Sequence, residues 1–364
     1  MKNFLLFLII ISALISLFAI FSWRGIYLPK DADYQIEKTF VIKKGEGTRE
    51  IAFNLEKEGL IQWGPLFRLY ALSKGTSGNL QAGEYLLSPS MTVPEIAEKF
   101  IEGETTKEKI TIIEGWNLRN IGWYFENKGM FQAEELFELV GFPLVDYSRP
   151  EGARLAPGGP SEAASSIDLP RPKDFSADFS FLEDKPEILG LEGYLFPDTY
   201  ELNKGESLED IVRKILYNFD KKLAPESRKD VKNQEKSIFE IVSMASLIEK
   251  EVRSLEDKKM VSGILWKRLK AGMPLQVDAT IAYITGKQTT KISADETRID
   301  SPYNTYKYPG LPLGPICNPG LESILASIYP EDSEYWYYLS TPEGQTIFSK
   351  TLEEHNIAKA KYLK

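Results

Sequence analysis

Residues 4 to 23, FLLFLIIISALISLFAIFSW, carry no charge over close to the ~20 residues that take a helix across a bilayer core; no other feature constrains the chain as strongly. The run reads as a transmembrane anchor. A cleaved secretory peptide has a shorter apolar run followed by a small-x-small site, and none follows here. Lipid attachment at this end is excluded because the single cysteine is Cys317. Lys2 precedes the run while Arg24 and Lys30 follow it, so flanking charge hardly orients it.

The chain of 364 residues leaves room behind this segment for about two or three domains and a sizeable core. A net charge of -9 argues against a basic face that tracks phosphates, and no G-x-x-x-x-G-K-[ST] loop is present, so no nucleic-acid or nucleotide partner is expected. One histidine and one cysteine cannot make a zinc site of the usual kind. No spaced Asp/Asn calcium loop appears either, and no metal or cofactor is expected.

Two segments 70 residues apart resemble each other, VIKKGEGTREIAFNLEKEGLIQWGPLF from Val41 and TIIEGWNLRNIGWYFENKGMFQAEELF from Thr111. Gly45 and Gly115, Arg49 and Arg119, Ile51 and Ile121, and Gly59 and Gly129 are among the identities. Each copy reads as strand, glycine turn, amphipathic helix and second helix, closed by an extended stretch, LQAGEYLLSP in the first and ILGLEGYLFPDTY in the second. The fold expected is therefore α+β: an anchor over 1–30, a first β-α-α-β unit over 38–105, a second over 106–200, and a mixed catalytic domain over 201–364. Residues 146–180, rich in Pro, Gly, Ser and Ala, read as a mobile insertion in the second unit.

Beyond Tyr200, helices are expected near 207–223, 238–253 and 255–271. A Pro/Gly-rich stretch follows over 301–320, then a helix to about Ser327, a strand pair in EYWYYLSTPEGQTIFSK, and a last helix from Thr351. Ser237 with Glu240 forms a capping box that starts the second of these helices. At 3.6 residues per turn Ile238, Val242, Ala245, Glu249 and Val252 share one face, whereas Glu251 points away and is expected in water. A carboxylate on an apolar wall has its charged form disfavoured and is suited to donate a proton. The alternative reading of Glu249 is a structural ion pair with Arg253 or Lys267. Further polar residues lie in MPLQVDAT (Gln276, Asp278) and in the proline-stiffened SPYNTYKYPGLPLGPICNPG (Tyr303, Asn304, Tyr306, Asn318). Aromatic faces with amide groups suit a sugar ring and its acetamido group; such loops also serve as turn architecture. His355 is the sole candidate base for a nucleophile, and with no G-x-S-x-G turn in the chain it is expected to serve structure.

Taken in order behind an anchor, LEGYLFPDTY, ASLIEKEV, LQVDAT and SPYNTY…GLPLGPICNPG resemble the YceG-like, or MltG-type, endolytic murein transglycosylases from about residue 40 to the end. The resemblance implies a LysM-like N-terminal region and an enzyme held at the cytoplasmic membrane by a single span, with its catalytic part outside, acting on nascent peptidoglycan strands. Contact with glycan polymerases of the penicillin-binding type is implied too. It also implies Glu249, the first acid of Glu-Lys-Glu, as catalyst, with Gln276, Asp278, Asn304 and Asn318 as substrate contacts; Tyr303 is added to these contacts from its aromatic face in the proline-stiffened loop. Two departures stand out: Thr346 where a histidine is common, and Leu311-Pro312-Leu313 where a double proline is usual. A hydrolytic muramidase, with Asp278 or Asp198 as second carboxylate, and a non-catalytic glycan-binding scaffold remain as alternatives.

Overall fold

The computed structural model describes residues 2–34, 36–103, 107–141, 143, 171–287 and 292–363. Most of the expected insertion, 146–170, lies outside these residues. Its last ten residues do not behave as a loose insertion: Phe175 is buried, Phe179 nearly so, and the Lys173 N–H donates to the Leu139 carbonyl at 3.0 Å.

The chain divides into two compact units, one of residues 1–110 with 201–207 and the other of residues 111–200 with 208–364. The first opens with α1 (Lys2–Tyr27), within which Leu6–Tyr27 is long and apolar enough to cross a membrane. It continues through β1 (Lys38–Ile42), α2 (Thr48–Lys57), α3 (Gly64–Ser73), β2 (Gly83–Leu87), α4 (Val93–Glu102) and into β3 (Lys107–Thr111). β1 and β2 pair antiparallel with Phe40 opposite Tyr85. Alternation along β1 turns Phe40 and Ile42 inward, where Phe40, Phe67 and Tyr85 surround Phe100 at 4.7 to 6.1 Å between ring centres. α4 was not among the expected helices, although Thr92 and Glu95 form its capping box and Gly103, in the left-handed region, ends it.

The second unit begins with α5 (Leu118–Asn127) and α6 (Ala133–Val140), and reaches β4 (Thr199–Asn203), which pairs with β3; the division between the units runs through both strands. Both segments thus run strand, helix, helix, strand. There follow α7 (Leu208–Lys222), α8 (Pro225–Asn233), α9 (Ile238–Glu251), α10 (Leu255–Lys270), α11 (Asp278–Thr285), α12 (Leu321–Ile328), the hairpin of β5 (Tyr337–Ser340) and β6 (Thr346–Ser349), and α13 (Leu352–Tyr362). α7, α9, α10, α12, the hairpin and α13 stand where the sequence places them. α8 and α11 are additions.

α9 is the axis of this unit. Its N-terminus is closed by the Ser237–Glu240 box and by Asp184, which accepts from the Ile238 and Phe239 N–H groups at 2.6 and 3.2 Å. Every residue from Ile241 to Ile248 is buried, so α9 has no water-facing side along this stretch. The single apolar stripe expected of it is therefore replaced by burial all round, and its two last-turn glutamates are distinguished by what each meets.

Candidate active site

Glu249 does not face an apolar wall. Its Oε2 accepts from the Gly320 N–H at 3.0 Å and from the Ser323 hydroxyl at 2.6 Å, both at the start of α12. The Lys258 ammonium, almost wholly buried, stands 3.6 Å away. The ion-paired reading of Glu249 thus describes its surroundings, with Lys258 in the place proposed for Arg253 or Lys267. The carboxylate ties α9 to α10 and α12. Its neighbour Lys250 reaches the Gly115 carbonyl at 3.1 Å.

Glu251, expected in water, is part-buried and meets a different set of groups. Burial pushes its carboxyl up to about 7, and the negative charge of Asp278 adds to the rise. Hydrogen bonds from the Tyr338 hydroxyl and the Ala279 N–H, together with the charge of Arg268, hold the rise back. Arg268 is itself fixed by backbone carbonyls, at 2.8 Å to Trp336 and 2.9 Å to Leu275, with Tyr337 5.1 Å from its guanidinium. A carboxyl raised toward neutrality beside a second acid, a buried cation and phenol groups makes a candidate proton-transfer site.

Of the five expected contact residues, Asp278 joins this cluster and Gln276 lies exposed two positions before it. Asp278, exposed at the first position of α11, accepts from the Tyr306 hydroxyl. Gln276 is exposed with φ +54, a left-handed conformation uncommon for a residue with a side chain. It is held there by the Gln276 N–H to the Thr305 carbonyl at 3.1 Å and the Val277 N–H to the Thr305 hydroxyl at 3.0 Å. Strain of this kind, about 1 to 3 kcal/mol, tends to collect at functional sites.

Tyr303, Asn304 and Asn318 are instead built into the framework, and this corrects their expected placement. Asn304 is fully buried and gives its amide hydrogens to the Thr297 and Ile299 carbonyls while its oxygen accepts from the Tyr306 and Lys307 N–H groups. It thereby places Tyr306. Asn318, equally buried, donates to the Trp116 carbonyl at 2.9 Å and accepts from the Leu195 N–H at 2.8 Å. Tyr303 lies against Tyr283, ring centres 5.0 Å apart.

Asn318 also reaches Glu192 at 3.3 Å, a second buried carboxyl, which accepts from the Leu118 N–H at 3.1 Å and the Tyr283 hydroxyl at 3.3 Å. Burial pushes Glu192 up to about 8 against those hydrogen bonds. Asp198, a candidate second carboxylate, is drawn the other way: burial would raise it, but Asn218 and Lys222 hold it below the usual range. It belongs to an ion pair. No group of three or more metal-ligating side chains occurs among the described residues.

The profile of the YceG-like family matches residues 40–361. The chain is 31% identical over 343 residues to an endolytic murein transglycosylase of Bacillus subtilis (strain 168), covering 93% of this chain and 89% of that one. It is 30% identical over 370 residues to the protein of the same description from Streptococcus pneumoniae serotype 2 (strain D39), covering 98% of this chain and 64% of the longer relative. A yceG-like protein of Listeria monocytogenes, solved by crystallography at 2.6 Å, is similar in structure, with a TM-score of 0.55 and 31% identity over 89% of this chain and 99% of that one.

Proposed function

The chain belongs to the YceG-like family, and from that membership we propose that it is an endolytic murein transglycosylase whose acid and base is Glu251. The family resemblance pointed to Glu249. The observation that moves the role two residues on is the near-neutral Glu251 carboxyl beside Asp278, Tyr338 and Arg268, set against a Glu249 committed to Lys258, Ser323 and the Gly320 N–H.

The chemistry needs one group that gives a proton and takes one back. Protonated Glu251 hands its proton to the oxygen leaving C1 of the N-acetylmuramyl residue. The resulting carboxylate, favoured by the Arg268 charge and the Ala279 and Tyr338 donors, then accepts the proton of that residue's C6 hydroxyl as its oxygen closes on C1. A 1,6-anhydro end forms, the enzyme regains its proton, and no water is consumed. General acid-base assistance of this sort contributes ~100 to 10,000-fold in rate. The negative charge of Asp278 raises Glu251 and opposes the positive charge that develops at C1. Gln276, aimed outward by its backbone, is the group best disposed to hold a sugar amide or hydroxyl. Asn304 and Asn318 act indirectly, by fixing Tyr306 and the turn at Leu195.

In this reading α1 anchors the chain with its catalytic unit outside the cytoplasmic membrane, and the β-α-α-β segments serve as LysM-like glycan-holding modules. Glycan polymerases of the penicillin-binding type are the natural suppliers of its nascent strands. Digestion of uncrosslinked glycan by the full chain in detergent, with the ends read by mass, tests the reaction. Ends lighter by one water than hydrolysed ends are expected. Ends of full mass would establish the muramidase, with Asp278 as its second carboxylate, and intact strands that remain bound would establish a scaffold.

A further inference from the structure

We propose that the outer face of α3 rests on the bilayer, so that the first unit is clamped to the membrane surface rather than tethered above it. This rests on α1 spanning the membrane. The last turns of α1 are already part of the globular unit: Ile26 lies in its core, and Gly25 is buried where a Cβ would come within 2.3 Å of Leu66 in α3. Phe21, one turn earlier and still exposed, meets Trp63, the residue that caps α3, with ring centres 5.9 Å apart. No linker therefore separates span from unit, and the lipid boundary must fall near Phe21 and Trp23, the level at which aromatic rings collect in membrane proteins.

α3 carries apolar residues on two sides. Leu66, Phe67 and Ala71 face the core, as a globular helix requires. Pro65, Leu69 and Leu72, at the i, i+4, i+7 spacing of a single outer face, are exposed, Leu69 by 47% and Leu72 by 61%. Arg68 and Lys74, also exposed, flank that stripe with positive charge suited to lipid phosphates. An apolar stripe in line with a tryptophan already touching the span fits one occupant, the headgroup and upper acyl region of the leaflet into which α1 emerges.

The test uses the full chain in vesicles of phosphatidylcholine and phosphatidylglycerol, with a nitroxide label at Leu69→Cys, Leu72→Cys or, in the polar turn after β1, Lys44→Cys. Cys317 is buried and its thiol is pushed well up by that burial, so it stays unlabelled. Labels at 69 and 72 are expected to collide several-fold more with oxygen than with a water-soluble nickel complex, relative to the label at 44. Equal, water-like behaviour at all three positions would overturn the proposal. Flotation of the unlabelled protein with the vesicles separately reports the span, so that failure of the anchor and failure of the clamp are told apart. Leu69→Glu with Leu72→Glu, which leaves the core face intact, should bring the label at Trp63→Cys into water; no change there would also count against the clamp.

Discussion

Glu249 and Glu251 stand two residues apart in sequence and meet opposite surroundings, and the helical wheel had set Glu251 in water, where the structure part-buries it. Periodicity works when one side of a helix is wet. α9 is buried on all sides from Ile241 to Ile248, so the wheel carried no information about its final turn, where Lys258, Gly320 and Ser323 claim one carboxylate while Tyr338 and Asp278 surround the other. These partners lie up to 87 positions from Glu251 along the chain, and only the fold reveals them. The capping box of Ser237 was legible, because it depends on local spacing. The roles of Asn304 and Asn318 were not, because an amide in a proline-stiffened loop looks the same whether it faces ligand or backbone. At this scale the pH response follows. Glu251 must be protonated to begin the reaction, so kcat/KM should hold below pH ~7 and fall about tenfold per unit above it; a profile rising through pH 7 to 8 would contradict the assignment. Stability should show a related effect through Glu192. Its folded value of about 8 exceeds the ordinary 4.5, so the folded state keeps a proton that the unfolded chain has lost. The contribution of this group is then greatest below pH ~4.5 and falls, on the order of 4 kcal/mol, as pH rises to 8. Urea melts of Glu192→Gln should lose most of that slope.

Among the elements, α10 and the segment leading into the hairpin hold the site in shape through one close approach. Gly263 in α10 lies where a Cβ would come within 1.9 Å of the Glu331 carbonyl oxygen, and the Glu331 N–H donates to the Lys259 carbonyl. The same segment leads to Trp336, whose carbonyl holds Arg268. Gly263→Ala is therefore expected to cost ~1 to 3 kcal/mol or more by overpacking and to lower turnover beyond the loss of folded protein. A melt unchanged from wild type would refute that contact. Long elements with strong caps were legible. α8 and α11, of nine and eight residues and without a side-chain cap at their starts, were not legible. α4 was overlooked despite a readable Thr92–Glu95 signal.

Taken whole, the molecule combines an N-terminal helix long and apolar enough to cross a membrane, a small unit built around Phe100 and a larger unit built around α9. The apolar N-terminal helix and the order of most strands and helices were written in hydrophobicity and turn residues. The association of residues 201–207 with the first unit was not, because it depends on the pairing of strands far apart in sequence. The central claim is that one carboxyl does the chemistry while its neighbour supports the fold. The most direct measurement compares Glu251→Gln with Glu249→Gln for turnover of nascent glycan and for thermal melting, both in the full chain. Glu251→Gln should melt at or above the wild-type temperature with turnover down at least ~100-fold, and Glu249→Gln should melt lower while its folded fraction retains turnover. Full activity in Glu251→Gln, or abolished activity in a Glu249→Gln protein that melts like wild type, would contradict it.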